Sequence, residues 1–359
     1  MNIDDRNIIW LDLFGFLTYH KKKKILSCFD KGVDIKKVFK SKPELRTILT
    51  DMEYSKMSNL LDYNFLDAQI EKFTQDGIIM ITINDSRYPF LLREIDEPPL
   101  CLYCKGNVQL LNSLCFAVVG TRKPTDYGAV VTKQYVKELS KYDITIVSGL
   151  AQGIDTIAHR TALEQNGKTI AVLAGGLYHI YPASNYHLAR EMTQNNLILS
   201  ENSPNVTPMA YSFPFRNRII AGLSRGVLIP EATLNSGSLH TKNYALDYNR
   251  DVFVVPGKIT SPASSGTNAL IKEVPIAMTT TPDDILVSLN IDKKNEKTSA
   301  IQLDMTEQII LNYIRTEKKT FQEIVDHTKL SASELNTILF NLELSGLVLH
   351  TSNNSYIMA

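Results

Sequence analysis

Excess charge, membrane-length apolar runs, a disulfide framework and nucleotide fingerprints are all missing from this 359-residue chain, and each absence removes a class of function. Its 38 Lys and Arg residues balance 38 Asp and Glu, so any nucleic-acid site must be a local patch and not a property of the whole surface. No stretch approaches the roughly 18 consecutive apolar residues of a membrane span. The start, MNIDDRNIIW, has no basic segment followed by an apolar one, so a soluble, cytoplasmic protein is expected. Four cysteines, Cys28, Cys101, Cys104 and Cys115, are too few for a disulfide scaffold in a chain this long. Cys101 and Cys104 are spaced like half of a zinc site, but no second CxxC or HxxxH stands at suitable spacing. Their apolar setting, PPLCLYCKG, predicts a strand, where residues three apart face opposite sides, so core cysteines are the expectation.

Nucleotide-binding loops are absent in a more instructive way. Residues 162–169, ALEQNGKT, satisfy a relaxed Walker A pattern, yet a phosphate loop needs a strand before its glycines and a helix after them. Here the helix comes first, Asn166-Gly167 stops it, and the strand Thr169–Leu173 follows, so Gly167 reads as a helix C-cap. The first strand of the central region ends in Gly120-Thr-Arg-Lys-Pro-Thr-Asp-Tyr-Gly128, which is not GxGxxG. The second ends in Ser148-Gly-Leu-Ala-Gln-Gly153 with no carboxylate placed for a ribose hydroxyl. No cofactor is expected, and no internal repeat is found.

What is present divides into segments. At roughly 100 to 200 residues per domain the length predicts two or three domains, and 44% hydrophobic residues suffice for a buried core. Residues 1–77 read as short amphipathic helices, a small helical domain. Within it, residues 1–46 hold 11 basic and 6 acidic residues including Lys21–Lys24, a run read as a solvated helix face. Residues 78–290 alternate apolar strands, at Phe116–Val119, Ile144–Val147, Ile170–Leu173, Leu197–Leu199, Val227–Ile229 and Val252–Val255, with helix-like stretches. That pattern predicts an α/β fold, a Rossmann-like doubly wound parallel sheet covered on both faces, with ligands outside the carboxyl ends of its strands. Residues 291–300, IDKKNEKTSA, read as a linker, and residues 301–359 as a C-terminal domain.

Small-residue loops close successive strands: Gly120-Thr121-Arg122, Ser148-Gly149 with Gly153, Ser236-Gly237-Ser238 and Ser265-Gly266-Thr267. Several such loops on one sheet edge present amides and hydroxyls to phosphate oxygens, and Arg122 adds a guanidinium that takes a phosphate bidentately. Ser212-Phe213-Pro214-Phe215-Arg216-Asn217-Arg218 sets two aromatics beside two arginines just ahead of a helix Ile219–Leu223. Such a composition fits a single-stranded nucleic-acid groove, with rings for bases and guanidinium groups for phosphates; it equally fits core phenylalanines flanked by salt-bridged arginines.

These stretches carry a resemblance. Val118-Val119-Gly120-Thr121-Arg122, Ser148-Gly149-Leu150-Ala151-Gln152-Gly153-Ile154-Asp155, Phe213-Pro214-Phe215-Arg216-Asn217-Arg218, Ser236-Gly237-Ser238 with Thr241, and Val255-Pro256-Gly257 with Gly266-Thr267-Asn268 resemble, in order, the motifs of the DNA-processing protein A family, DprA or Smf. The likeness spans roughly residues 78–275. It implies an extended Rossmann domain that binds single-stranded DNA and forms a homodimer. It also implies a protein that protects incoming DNA and helps load the recombinase RecA onto it in natural transformation, without being an enzyme. Arg122 would then sit in a phosphate pocket, and Phe213, Arg216, Asn217 and Arg218 on the DNA path. Three stretches depart from the family pattern: Gly15-Phe16-Leu17-Thr18 replaces a Gly-hydrophobic-Gly hairpin, Ala183 follows Tyr181-Pro182 where a basic residue is frequent, and Val274-Pro275 replaces Gly-Ala.

The rival reading is an enzyme on the same scaffold, akin to the Rossmann-fold nucleotide phosphoribohydrolases of the LOG type, with Asp155 and Glu231 as its carboxylates. The Pro-Gly-Gly-x-Gly-Thr-x-x-Glu loop of those enzymes is replaced here by Pro230-Glu231-Ala-Thr-Leu-Asn-Ser236-Gly237, and Asp155 reads better as a helix-start residue bonding loop amides. Helices at Thr306–Arg315, Thr320–Thr328 and Ala332–Leu344, then strands at Val348–Leu349 and Tyr356–Met358, give the order of a winged helix. Its third helix has no Lys or Arg between Ser331 and Gly346, so a protein-contact or regulatory role is expected over sequence reading.

Overall fold

A computed structural model describes residues 2–59, 63–273, 275–291, 304–315, 317–344, 347–351 and 355–358. Val274 and, Ile291 aside, the segment 291–300 lie outside the described residues. The chain forms two compact units, Met1–Lys297 and Thr298–Ala359. No helix among the described residues is long and apolar enough to cross a membrane.

The first unit is built on a nine-stranded sheet. Its strands are β1 (Ile78–Thr82), β2 (Cys101–Gly106), β3 (Cys115–Val118), β4 (Thr145–Ser148), β5 (Lys168–Val172), β6 (Leu197–Ser200), β7 (Gly226–Ile229), β8 (Asp251–Val254) and β9 (Ala277–Met278). They lie in the order β1-β2-β6-β5-β4-β3-β7-β8-β9. Pairing is parallel from β6 through β9 and antiparallel at β1–β2 and β2–β6. After β3 the chain winds one way through β4, β5 and β6, then returns to lay β7 on the other side of β3. That reversal opens a crevice at the carboxyl ends of β3 and β7, where ligands bind in doubly wound folds. The fold is α/β and Rossmann-like, as the alternation of apolar runs predicted.

Both faces of the sheet are covered, which is why the central strands are apolar throughout. Ala117, Val147, Val172 and Val227 face the helices Ser212–Leu223 and Ser238–Asp247, while Phe116, Val118 and Ile146 face Asp126–Ser140 and Ile154–Glu164. The N-terminal helices, among them Ile3–Leu13 and Tyr19–Ser27, belong to the same compact unit: Ile9, Trp10 and Leu11 pack with Tyr103 and Ile198. In the basic run, Lys21 donates to Glu53 and Lys22 to Asp12, each at 2.7 Å, so these two are partnered and not simply solvated. Cys101 and Cys104 sit on one strand and enter opposite cores.

Two local readings are refined. The helix Ile154–Glu164 ends in a Schellman turn in which Asn166, at φ 49°, takes the left-handed position, and the Gly167 amide closes on Ala162 O at 2.8 Å. The glycine therefore follows the turn residue and does not supply it. The FPFRNR stretch does not precede a helix; it is the first part of one, Ser212–Leu223. Pro214 is compatible with that start because the first turn of a helix leaves its amides unbonded in any case.

The second unit packs helices Met305–Tyr313, Phe321–Thr328 and Ala332–Leu344 around Ile310, Ile324, Leu335 and Val348, with a sheet of β10 (Lys319–Thr320), β11 (Val348–Thr351) and β12 (Ser355–Met358) in the order β10-β12-β11. Capping boxes start the first two helices, from Asp304 and Thr320. Ser331 and Glu334 exchange the same bonds before the third. This is a winged helix.

Candidate nucleic-acid interface

The crevice beside β3 and β7 is a cleft of about 770 Å³. One wall is the Gly120-Thr121-Arg122 loop, held by backbone contacts: Thr121 N–H donates to Glu231 O at 2.9 Å and Ile154 N–H to Thr121 O at 3.2 Å. A Cβ on Gly120 would lie 2.7 Å from Ile154 Cγ1 and 2.8 Å from Glu231 O, so only glycine allows this approach. The loop thus fixes the backbone of Arg122 while leaving its side chain exposed. Among the described residues no carboxylate pairs with Arg122; its guanidinium carbon instead lies 5.7 Å from the Phe213 ring centroid.

The opposite wall is the start of the helix Ser212–Leu223. Phe213 is half-buried, lies outside the apolar core clusters, and meets the exposed ring of Tyr181 edge-on with centroids 5.4 Å apart. Asn217, one helical turn on, donates from Nδ2 to Gly237 O at 3.2 Å, which ties this helix to the loop after β7. In that loop the Ser236 and Ser238 hydroxyls are 2.8 Å apart. Gly237 has no steric need to be glycine, since a Cβ there meets nothing within 4 Å. Arg122, Phe213, Asn217, Ser236, Gly237 and Ser238 are therefore brought to one cleft, together with Gly120 and Thr121.

Arg216 reaches the cleft floor but is only 5% exposed. Its Nη1 donates to the carbonyls of Gly149, at 2.8 Å, and Val172, so it binds together the ends of β4 and β5. Burial lowers its pKa to about 10, with Asp155 acting against the shift and Arg122 adding to it. Asp155 accepts from Gly149 N–H at 3.0 Å and Ala151 N–H at 3.4 Å; burial raises its pKa, opposed by Arg216. It is the loop-holding residue near a helix start that the sequence suggested.

Ser148 turns inward, its hydroxyl donating to Val118 O at 2.6 Å, and the amide and carbonyl of Gly149 are taken by Asp155 and Arg216. These two residues brace the cleft and offer it no free group. Arg218 is not in the cleft at all. It is 3% exposed, pairs with Glu201, and stacks on Phe215 with 4.2 Å between guanidinium carbon and ring centroid. At 100° per residue, position 218 turns away from 213 and 217 and falls beside 215, a consequence visible only once the whole stretch is known to be helical. Tyr181 and Lys123, also on the cleft wall, were not singled out from sequence; for Lys123 the signal was its adjacency to Arg122.

Glu231 is 1% exposed and accepts from the amide and hydroxyl of Thr125 at 2.8 and 2.7 Å, capping the segment that starts the helix Asp126–Ser140. Asp155 and Glu231, the two carboxylates of the phosphoribohydrolase reading, thus each hold a loop. Among the described residues no cluster of three or more His, Cys, Asp or Glu is arranged to hold a metal ion.

Residues 79–290 match the family described as DNA recombination-mediator protein A, and residues 294–353 match the DprA winged helix domain. The chain is 40% identical over 235 residues to the DNA processing protein DprA of Bacillus subtilis, covering 64% of this chain and 79% of that protein. It is 37% identical over 279 residues to Protein Smf of Escherichia coli, covering 75% and 74%. The X-ray structure of DprA from Streptococcus pneumoniae superposes with a TM-score of 0.69 at 34% identity, over 80% of this chain and 98% of that one. The Helicobacter pylori DNA processing protein A, described for its single-stranded DNA binding mode, gives a TM-score of 0.54 at 35% identity, over 59% and 95%. With the strand order, the switch-point cleft and the winged helix in place, these matches identify the family: the chain belongs to the DNA recombination-mediator protein A family, that of DprA and Smf.

Proposed function

We propose that this chain binds single-stranded DNA in the Arg122–Phe213 cleft and delivers the strand to a RecA-type recombinase, acting by binding and not by a reaction of its own. One observation carries the reading: an exposed arginine with no carboxylate partner among the described residues stands over an aromatic ring in the cleft where the winding of the sheet reverses. A guanidinium in that position takes a backbone phosphate, and Phe213 with Tyr181 offers ring surface to an unpaired base. The likeness to the Helicobacter pylori protein supports a single strand as the ligand, and the family's description as a recombination mediator supports the delivery step. A homodimer is part of the proposal, because two linked grooves raise the effective concentration of DNA at the second site.

Fluorescence anisotropy with labelled oligo-dT and with duplex, beside an assay for base release from nucleoside monophosphates, tests it. The expected result is preference for oligo-dT with no base release. Robust base release without affinity for oligo-dT would transfer the chain to the phosphoribohydrolase reading.

A further inference from the structure

The balanced charge of the chain hides one local imbalance. Residues 19–56 hold 11 Lys and Arg against 5 Asp and Glu, so the rest of the chain is net negative. Some of these cations are spent, Lys21 on Glu53 and Lys22 on Asp12. Lys23 and Lys56 are not: both are exposed, and no carboxylate pairs with either among the described residues. Each stands over a ring instead, Lys23 Nζ 5.9 Å from the Tyr19 centroid and Lys56 Nζ 5.5 Å from that of Phe16. Arg122 is placed in the same way over Phe213 in the cleft.

Tyr19 and Phe16 line a groove of about 590 Å³ within the first compact unit, and the start of the helix Ser212–Leu223 forms its other wall. That same short stretch borders the Arg122 cleft. Ala210, Phe213 and Pro214 line the cleft, whereas Met209, Tyr211 and Phe215 line the groove. Cleft and groove are therefore separated by the thickness of one helix, about 10 Å, which a strand crosses within a few nucleotides.

Inside the groove the charges cancel in pairs, His20 with Glu97, Lys22 with Asp12 and Arg218 with Glu201, so the unpaired cations stand beside it and not within it. Tyr211 adds an open ring, 74% exposed. Cations along an edge and ring surface within suit a nucleic acid whose bases are unpaired, because a duplex keeps its base faces stacked and leaves Tyr211 nothing to meet. We propose that a bound single strand runs on from the Arg122 cleft, over the start of the helix Ser212–Leu223 and into this groove, where Lys23 and Lys56 take backbone phosphates and Tyr211 stacks on a base. The proposal rests on the single-strand reading of the cleft and extends its site onto the N-terminal helices.

Fluorescence anisotropy of the full chain with labelled oligo-dT of about 6 and about 25 nucleotides, over a salt series, tests the extension. The double variant Lys23→Gln, Lys56→Gln should bind the short strand like wild type and the long strand on the order of tenfold more weakly. Its long-strand slope of log affinity against log salt should fall by about 1.4, two phosphates at about 0.7 each. Tyr211→Ala should also weaken only the long strand, on the order of tenfold, with the slope unchanged. All three side chains are exposed or partnered only with a ring, so both variants should keep the wild-type Tm. Arg122→Ala, by contrast, should weaken both lengths. Loss in Arg122→Ala with wild-type long-strand affinity and slope in the lysine variant would overturn the extension alone. Equal loss at both lengths in the lysine variant, or an equal loss for a duplex of the long length, would overturn it as well, the second by assigning the lysines to duplex. Wild-type binding of both lengths by Arg122→Ala would overturn the cleft reading and the extension with it.

Discussion

Three arginines within reach of one helix have three different fates, and burial and partners decide among them. Arg122 is exposed and over a ring, Arg216 is spent on two strand-end carbonyls, and Arg218 is paired with Glu201 on the far side. Only the first is free to take a phosphate. Phe213 is the complementary test: it lies outside the core clusters, so Phe213→Leu should leave the melting temperature nearly unchanged and cost roughly 1 to 3 kcal/mol of oligo-dT affinity. A large thermal loss with normal affinity would return the ring to the core. Sequence alone left these readings even, because composition does not reveal which way a side chain turns. It equally missed that the Ser148 hydroxyl is consumed by Val118 O, a bond between strands that are neighbours only in space. His159 carries a pH signature. It is fully buried, its Nδ1 lies 2.7 Å from a Thr169 hydroxyl that itself donates to Ile146 O, and burial together with Arg216 lowers its pKa to about 3. The fold therefore excludes a proton that the unfolded chain accepts near pH 6.5. Stability should be intact above that pH and fall progressively as pH drops toward 3, and His159→Asn should flatten this acid limb of a Tm-against-pH curve.

At the scale of elements, the apolar runs located the six central strands β3 to β8 to within a residue or two, since strands buried on both faces leave an unbroken apolar signature, while β1 and β9 at the sheet edges were not read. The start of the helix Ser212–Leu223 was not legible because proline discourages a helical reading, although its first turn accepts one. That shift decides which residues share a face, and so moved Arg218 away from the site. The cleft depends on two interlocked loops. Gly153, at φ 80°, would bring a Cβ to 2.4 Å from Thr121 O, the residue next to Arg122. Gly153→Ala should lower the unfolding free energy by roughly 1 to 3 kcal/mol in a urea titration. Gly237→Ala, in open space at φ −62°, should be neutral or slightly stabilising in the same titration. Equal losses in the two variants would show that the loop contacts do not hold the cleft.

For the whole molecule, balanced charge predicted that binding would rest on a local feature, and the cleft offers one exposed arginine with a neighbouring lysine and not a basic face. The winged helix keeps to that pattern: Glu334, Glu343 and the exposed Phe340 stand on its third helix with no Lys or Arg, a surface ill-suited to phosphates. The proposed homodimer belongs to this scale. Light scattering at micromolar concentration should give twice the 40.4 kDa chain mass, and a monomer alone would remove linked grooves from the account. The central claim is that Arg122 meets the backbone of a single strand, and the salt dependence of oligonucleotide affinity tests it most directly. Neutralising one phosphate contributes about 0.7 to the slope of log affinity against log salt for a single strand. Arg122→Ala should weaken binding about equally for oligo-dT and mixed-sequence strands and reduce that slope by about 0.7. Unchanged affinity and an unchanged slope would contradict the account.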